Sequence, residues 1–186
     1  MHVGFAAVTD VGRVRETNQD AVLATAGAGR GSYVLAVADG VGGLLDGAEA
    51  SRLVVEMLGE GARLQTDDLA GALDAQLLAA NTKIFEKGTA KGFPSATTIV
   101  VVTIAGGHFE VIHAGDSRAY LWRGGHLQRL TADHSWVAEQ ERAGTLTPEE
   151  AARSQYRNII TRCIGAEPAV QLERRDAERC LADDLV

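Results

Sequence analysis

TTIVVVTI at 97–104, followed closely by HFEVIHA at 108–114 and SRAYLWR at 117–123, decides the fold class. The first run is apolar or threonine at every position, so both alternating faces of a strand there need cover. Such a strand belongs between two layers rather than on an open surface. Gly106-Gly107 and Gly124-Gly125 stand where two-residue hairpin turns require positive φ, so the strands should fold back on one another. Upstream, residues 2–9, 20–26 and 32–38 read as further strands, the last two joined by GAGRG at 27–31. A helix is expected near 47–60, with Ala50, Leu53, Val54, Met57 and Leu58 on one face. A second is expected near 68–86, where Leu69, Leu73, Leu77, Ala80 and Ile84 recur at helical spacing. The region 134–153 returns to helix, and Thr147-Pro148-Glu149-Glu150 supplies an N-cap, a proline at the first helical position and a capping-box glutamate. Antiparallel strands with long helices inserted between them predict an α+β sandwich, with helices outside two mainly antiparallel sheets.

The 186 residues suit a single domain, 1–186, with room for a substantial core. Hydrophobic residues make up 46% and aromatics only 5%, so Val, Leu, Ile and Ala must build that core. A formal charge of −7 argues against a general nucleic-acid binder, which would carry a basic face. Cys163 and Cys180 lack metal-site spacing and are expected to be reduced thiols. There is no signal-like N-terminal segment and no run of membrane-spanning length, so the expectation is a cytoplasmic protein without membrane association.

Two acidic loops carry the chemistry. VADGVGG at 37–43 and HAGDSRAY at 113–120 each place one aspartate on a glycine-bounded turn after an apolar run. Mg²⁺ and Mn²⁺ choose such oxygen ligands: carboxylates, backbone carbonyls, water and substrate phosphate. A third turn, GRVRETNQD at 12–20, adds Asp20, with Arg15 five residues upstream. Arginine forks onto phosphate through two parallel hydrogen bonds. An oxygen-ligand metal site beside an arginine points to phosphate-ester chemistry.

The order GRVRETNQD, VADGVGG with GAEAS, SATT, HAGDSRAY, LTADHS and YRNIITRCIG resembles the metal-dependent protein phosphatases (PPM, type 2C), in particular their bacterial branch, from about residue 3 to the end. The resemblance implies a four-layer αββα sandwich with a binuclear Mn²⁺/Mg²⁺ centre that hydrolyses phosphoserine and phosphothreonine in proteins by a metal-activated water. By position, Asp39 resembles the carboxylate bridging two ions, and Gly40 lends its backbone carbonyl to one of them. Asp20 would touch the pair through water, and Asp116 matches a third, weaker metal position. Arg15 matches the arginine that receives the substrate phosphate. Asp133-His134-Ser135 would lead into a flap over roughly 136–157. Phosphoproteins, including those opposed to a Ser/Thr kinase, are the implied partners.

The chain departs from the family pattern in three places. Val41 stands where eukaryotic relatives carry a histidine, so no general acid is visible. Ser154-Gln155 replaces a common His-Pro before Tyr156. The sequence stops at LADDLV, ahead of the Ser-Asp-Gly and Asp-Asn segments whose aspartates complete one metal site, and Asp183 and Asp184 replace neither. A phosphatase domain lacking its C-terminal strands is therefore expected. The alternatives are a non-catalytic module that binds a partner or phosphoprotein, and a phosphohydrolase acting on a small metabolite. Plainer roles compete at single positions. Asp116 could pair with Arg118, Thr97 and Thr98 could be strand formers, His113 and His134 could be structural, and Asp183-Asp184 could be a solvated turn.

Overall fold

The computed structural model describes residues 3–41 and 46–186. The chain runs through strands β1 (Asp20–Ala26) and β2 (Tyr33–Val41), then helices α1 (Asp46–Ala62) and α2 (Leu69–Lys91). Strands β3 (Ala96–Thr97), β4 (Ile99–Ala105), β5 (His108–Ala114), β6 (Tyr120–Arg123) and β7 (His126–Arg129) follow. Helices α3 (Trp136–Arg142) and α4 (Pro148–Arg153) precede the last strand, β8 (Glu173–Arg179). The main sheet has the order β1-β2-β4-β5-β8, all antiparallel, with β3 pairing the end of β2; β6 and β7 form a second antiparallel sheet. This is the expected α+β class with two antiparallel sheets and helices.

The doubly apolar run sits as its pattern demands. Ile99 and Val101 face α1 and α2, packing with Val54, Leu58, Leu73 and Leu77. Val100, Val102 and Ile104 face the other way, toward Phe109, Ala119, Leu121 and Leu130 beside the β6–β7 hairpin. All five anticipated α2 residues are buried, and Ala50, Val54, Met57 and Leu58 of α1 join them, with Leu53 packed at the margin. Gly106-Gly107 and Gly124-Gly125 both have positive φ and make the two hairpin turns. Thr147 caps α4 with the reciprocal Glu150 bond of a capping box.

Three expectations change. Residues 3–9 form no strand: Val3 packs on the second core and Phe5 meets Tyr33 edge-on, but β-forming side chains without a ladder partner do not make a strand. His2, at the start of that expected strand, and Gly42-Gly43 of VADGVGG lie outside the described residues. TTIVVVTI is broken at Thr98, whose N–H turns to the Asp39 carbonyl at 2.8 Å. SRAYLWR becomes strand only from Tyr120, because Ser117 and Arg118 are held by Thr98 and Asp133.

β8 is the element the sequence conceals. ERRDAER has no apolar alternation, yet it pairs with β5 along its length apart from a register shift between Phe109 and Val111. Charges on an edge strand deter further pairing. Here they also bind inward: Arg174 Nε donates to Asp74 at 3.0 Å, and Arg175 lies 3.4 Å from Glu178.

Candidate active site

The acidic site is assembled where three segments meet at one end of the main sheet. Asp20 opens β1 and is the register partner of Asp39 in β2, so antiparallel pairing itself puts these carboxylates side by side. Asp116 arrives on the turn after β5. That turn is pressed against Thr98: a Cβ on Gly115, whose φ is +121°, would lie 2.5 Å from the Thr98 Cβ. Only glycine fits there. The Thr98 hydroxyl meets the Ser117 hydroxyl at 2.7 Å, pinning the Asp116 turn to the sheet. The Thr97 hydroxyl donates to the Asp39 carbonyl at 2.9 Å. Thr97 and Thr98 are thus fully buried struts for the Asp39 and Asp116 backbones.

Gly40 is fixed by close approach. Its N–H donates to the Gln19 carbonyl at 3.0 Å, and a Cβ there would lie 2.4 Å from the Gly47 carbonyl carbon and oxygen in α1. The Gln19 carbonyl also accepts from the Ser51 hydroxyl at 2.7 Å. The NQD turn, β2 and α1 are thereby locked together. Asp20 is further set by its N–H, which donates to Asn18 Oδ1 at 3.0 Å. Sequence reasoning missed Ser117, Ser51 and the Gln19 carbonyl as organisers. Their only signal is adjacency to the acidic motifs.

The electrostatics show a concentration of like charge. The Asp39 carboxyl is pushed up to about 6 from 3.8, first by its partial removal from water, then by the Asp20 charge and a hydrogen bond shared with Asp20, then by Asp116. Arg15 opposes this, lowering it. All four charged residues singled out in the sequence therefore act on one point. Arg15 is exposed and its Nη1 donates to Gln19 Oε1 at 3.2 Å. Three carboxylates and a glycine carbonyl at the end of a sheet suit a hard divalent cation, which would relieve the repulsion that holds the Asp39 proton.

Asp116 does not pair with Arg118. Arg118 instead forks onto Asp133, with Nη2 at 2.6 Å and Nε at 3.1 Å. Both cysteines are free thiols. Burial, then the Asp116 charge, pushes the Cys163 thiol up to about 11, so a thiolate nucleophile is disfavoured. Asp184 is not a solvated turn residue: its carboxylate accepts from Arg123 Nε at 2.8 Å and Nη2 at 2.7 Å. Asp183 does sit exposed in a turn, with φ of 69°.

Among the described residues, one set of metal-type ligand atoms lies close together. The nearest ligand atoms of His113, His134 and Glu173 lie within 4.8 Å of one another. The two imidazoles are stacked 4.6 Å apart and only 7° from parallel, so their in-plane lone pairs do not meet at one point. His134 Nδ1 accepts from the Gly115 N–H at 3.0 Å, which leaves the proton on Nε2 to reach Glu173 at 3.0 Å. Arg162 also approaches Glu173, at 3.8 Å. As arranged, this cluster ties β5, β8 and the Asp116 turn together.

Known proteins resemble this chain in sequence and fold. The family described as protein phosphatase 2C matches residues 12–172. The Mycobacterium tuberculosis serine/threonine protein phosphatase PstP is 37% identical over 180 residues, covering 93% of this chain and 33% of that protein. The chain thus spans about a third of the length of that curated relative. The Streptococcus agalactiae serine/threonine phosphatase structure superposes with a TM-score of 0.86 at 33% identity, covering 95% of this chain and 74% of that one. The catalytic domain of PstP, solved in complex with two manganese ions, gives 0.79 at 34% identity, covering 96% and 73%. With the family pattern spanning residues 12–172, all three acidic turns among them, the chain belongs to the protein phosphatase 2C family.

Proposed function

We propose that the chain is the catalytic portion of a metal-dependent serine/threonine phosphoprotein phosphatase. The observation that carries this reading is the convergence of Asp20, Asp116 and Arg15 on the Asp39 carboxyl. Asp39, Asp20, Asp116 and the Gly40 carbonyl would hold Mn²⁺ or Mg²⁺, which supplies a more acidic water and neutralises phosphate charge when bound. The related PstP domain with its two manganese ions supports this choice of metal.

The chain's own residues then have separable tasks. Arg15 offers a guanidinium fork for two phosphate oxygens, orienting the ester and stabilising charge that grows on them. Asp39 keeps its carboxylate available once a cation displaces its proton. Thr97, Thr98 and Ser117 hold the two acidic turns at fixed separation, so little reorganisation is needed when substrate arrives. Phosphorylated proteins, including those modified by a Ser/Thr kinase, are the proposed substrates, and the cytoplasm the proposed location. Among the described residues no helix is long and apolar enough to cross a membrane.

Hydrolysis of p-nitrophenyl phosphate and of a phosphothreonine peptide, with Mn²⁺ and with EDTA, tests the reading. Mn²⁺-dependent turnover that Asp39→Asn abolishes is the expected result. A folded chain that binds Mn²⁺ without turnover would point to the non-catalytic alternative.

A further inference from the structure

A cavity of about 520 Å³ opens between the base of the β6–β7 hairpin and helices α3 and α4, and it is unusually basic for so acidic a chain. Arg118, Arg129, Arg142 and Arg157 line it, against only Asp133 and Glu141. The arginines are in two states. Arg118 and Arg129 both bind the largely buried Asp133 carboxylate, which fixes their positions and neutralises part of their charge. Arg142 and Arg157 have no carboxylate within 4 Å among the described residues and reach only backbone carbonyls, those of Asp133 at 3.1 Å and Ser154 at 3.4 Å. The cavity therefore keeps two positive charges in excess on guanidiniums with open forks. Pro148, Ala151 and Val137 supply an apolar wall for the stem of an entering side chain.

We propose that this cavity is a second anion site that receives a phosphorylated side chain of the substrate near the one being hydrolysed. A phosphomonoester carries close to two negative charges and three acceptor oxygens, which matches the excess charge and the free donors. A carboxylate side chain shares the chemistry with half the charge. The position fits a neighbouring residue of the same peptide. Arg118 follows Asp116 by two residues on one turn, at most about 7 Å of backbone away. An extended peptide advances about 3.3 Å per residue, so a second group two to four residues from the first can span the gap. Preference for doubly phosphorylated segments follows. The inference rests on the phosphatase reading for its substrate class, while the cavity's charge stands independently of catalysis.

The experiment compares peptides carrying one phosphothreonine, two phosphothreonines two to four residues apart, or one phosphothreonine and one glutamate at those spacings. Turnover by the Mn²⁺-loaded 186-residue chain and fluorescence-anisotropy binding are measured in parallel. The ratio of kcat/KM for the doubly over the singly phosphorylated peptide should be about 10 or more at the best spacing, with the glutamate peptide between them. In Arg142→Gln/Arg157→Gln that ratio should fall to about 1. Both side chains are exposed, so the fold should survive and circular dichroism checks it. A ratio near 1 in the unaltered chain, or a preference that persists in the double variant, would overturn the proposal. If Mn²⁺ brings no turnover, the phosphatase reading fails on its own. The anisotropy comparison of the same peptides with the same variant still decides the anion site.

Discussion

The acidic end of the main sheet and its charged edge handle carboxylates in opposite ways. At the end, the charges of Asp20 and Asp116 act on Asp39, opposed among the described residues by exposed Arg15, and Asp39 holds its proton up to about 6. At the edge, Glu173, Glu178 and Asp184 each meet a donor. Glu173 is lowered, chiefly by its hydrogen bond from His134, and Asp184 is lowered by Arg123. The edge charges are arranged for the fold as it stands. The end charges instead repel one another, so stability is given up to keep them together, as the proposed cation site requires.

The sharpest way to break this contrast is Asp39→Asn. If the acidic end serves a cation, Mn²⁺-dependent turnover should fall by at least ~10²-fold, read from kcat with p-nitrophenyl phosphate. In EDTA at pH 7 the same variant should be more stable than the parent by ~1 kcal/mol, the full shift being discounted because the residue is exposed. Chemical denaturation measures this. Loss of turnover together with lower stability would mean that Asp39 is a structural residue.

Next in size is Gly115→Ala, which forces a side chain into Thr98 at a positive φ. It should cost ~3 kcal/mol and displace Asp116, lowering Mn²⁺ affinity as well as the thermal midpoint. An unchanged midpoint would show that the turn does not depend on this close approach.

A smaller effect, on pH, separates the two regions by sign. Asp39 binds its proton more tightly when folded, so its contribution in EDTA falls as pH rises from about 3.8 through about 6. Glu173 binds its proton more weakly when folded, so its contribution is present above about 4.5 and is lost as pH falls through its lowered value. Burial lowers His113, so its neutral form also loses stability as pH falls below 6.5. Asp39→Asn should therefore make the stability curve steeper on the acid side. Glu173→Gln should flatten it, at a cost of less than ~1 kcal/mol at pH 7 because this carboxylate is 44% exposed. Equal slopes in both variants would remove the distinction.

The same contrast explains what could be read from the sequence. TTIVVVTI, the α2 periodicity and the two Gly-Gly turns announce their places because burial and φ act on single residues in their local pattern. Arg15, Asp20, Asp39 and Asp116 stood out because each lies on a turn motif, and the structure brings their charges together. β8 was hidden because its residues are polar, and both its pairing with β5, at least 60 residues upstream, and its side-chain ties to Asp74 in α2 and to His134 are encoded in no local pattern. The alternative pairing of Asp116 with Arg118 fails for the same reason. The partner of Arg118, Asp133, lies 15 residues on, whereas Asp116 is only two away. The strand expected at 2–9 failed because propensity names a willing strand, not its partner.

Mn²⁺ titration followed by electron paramagnetic resonance, on the parent chain, Asp39→Asn and Glu173→Gln, tests most directly whether the acidic end is the cation site. Saturable binding in the parent and in Glu173→Gln, with binding lost in Asp39→Asn, is the result predicted here. Binding that survives Asp39→Asn and disappears in Glu173→Gln would contradict it and move the metal to the paired histidines.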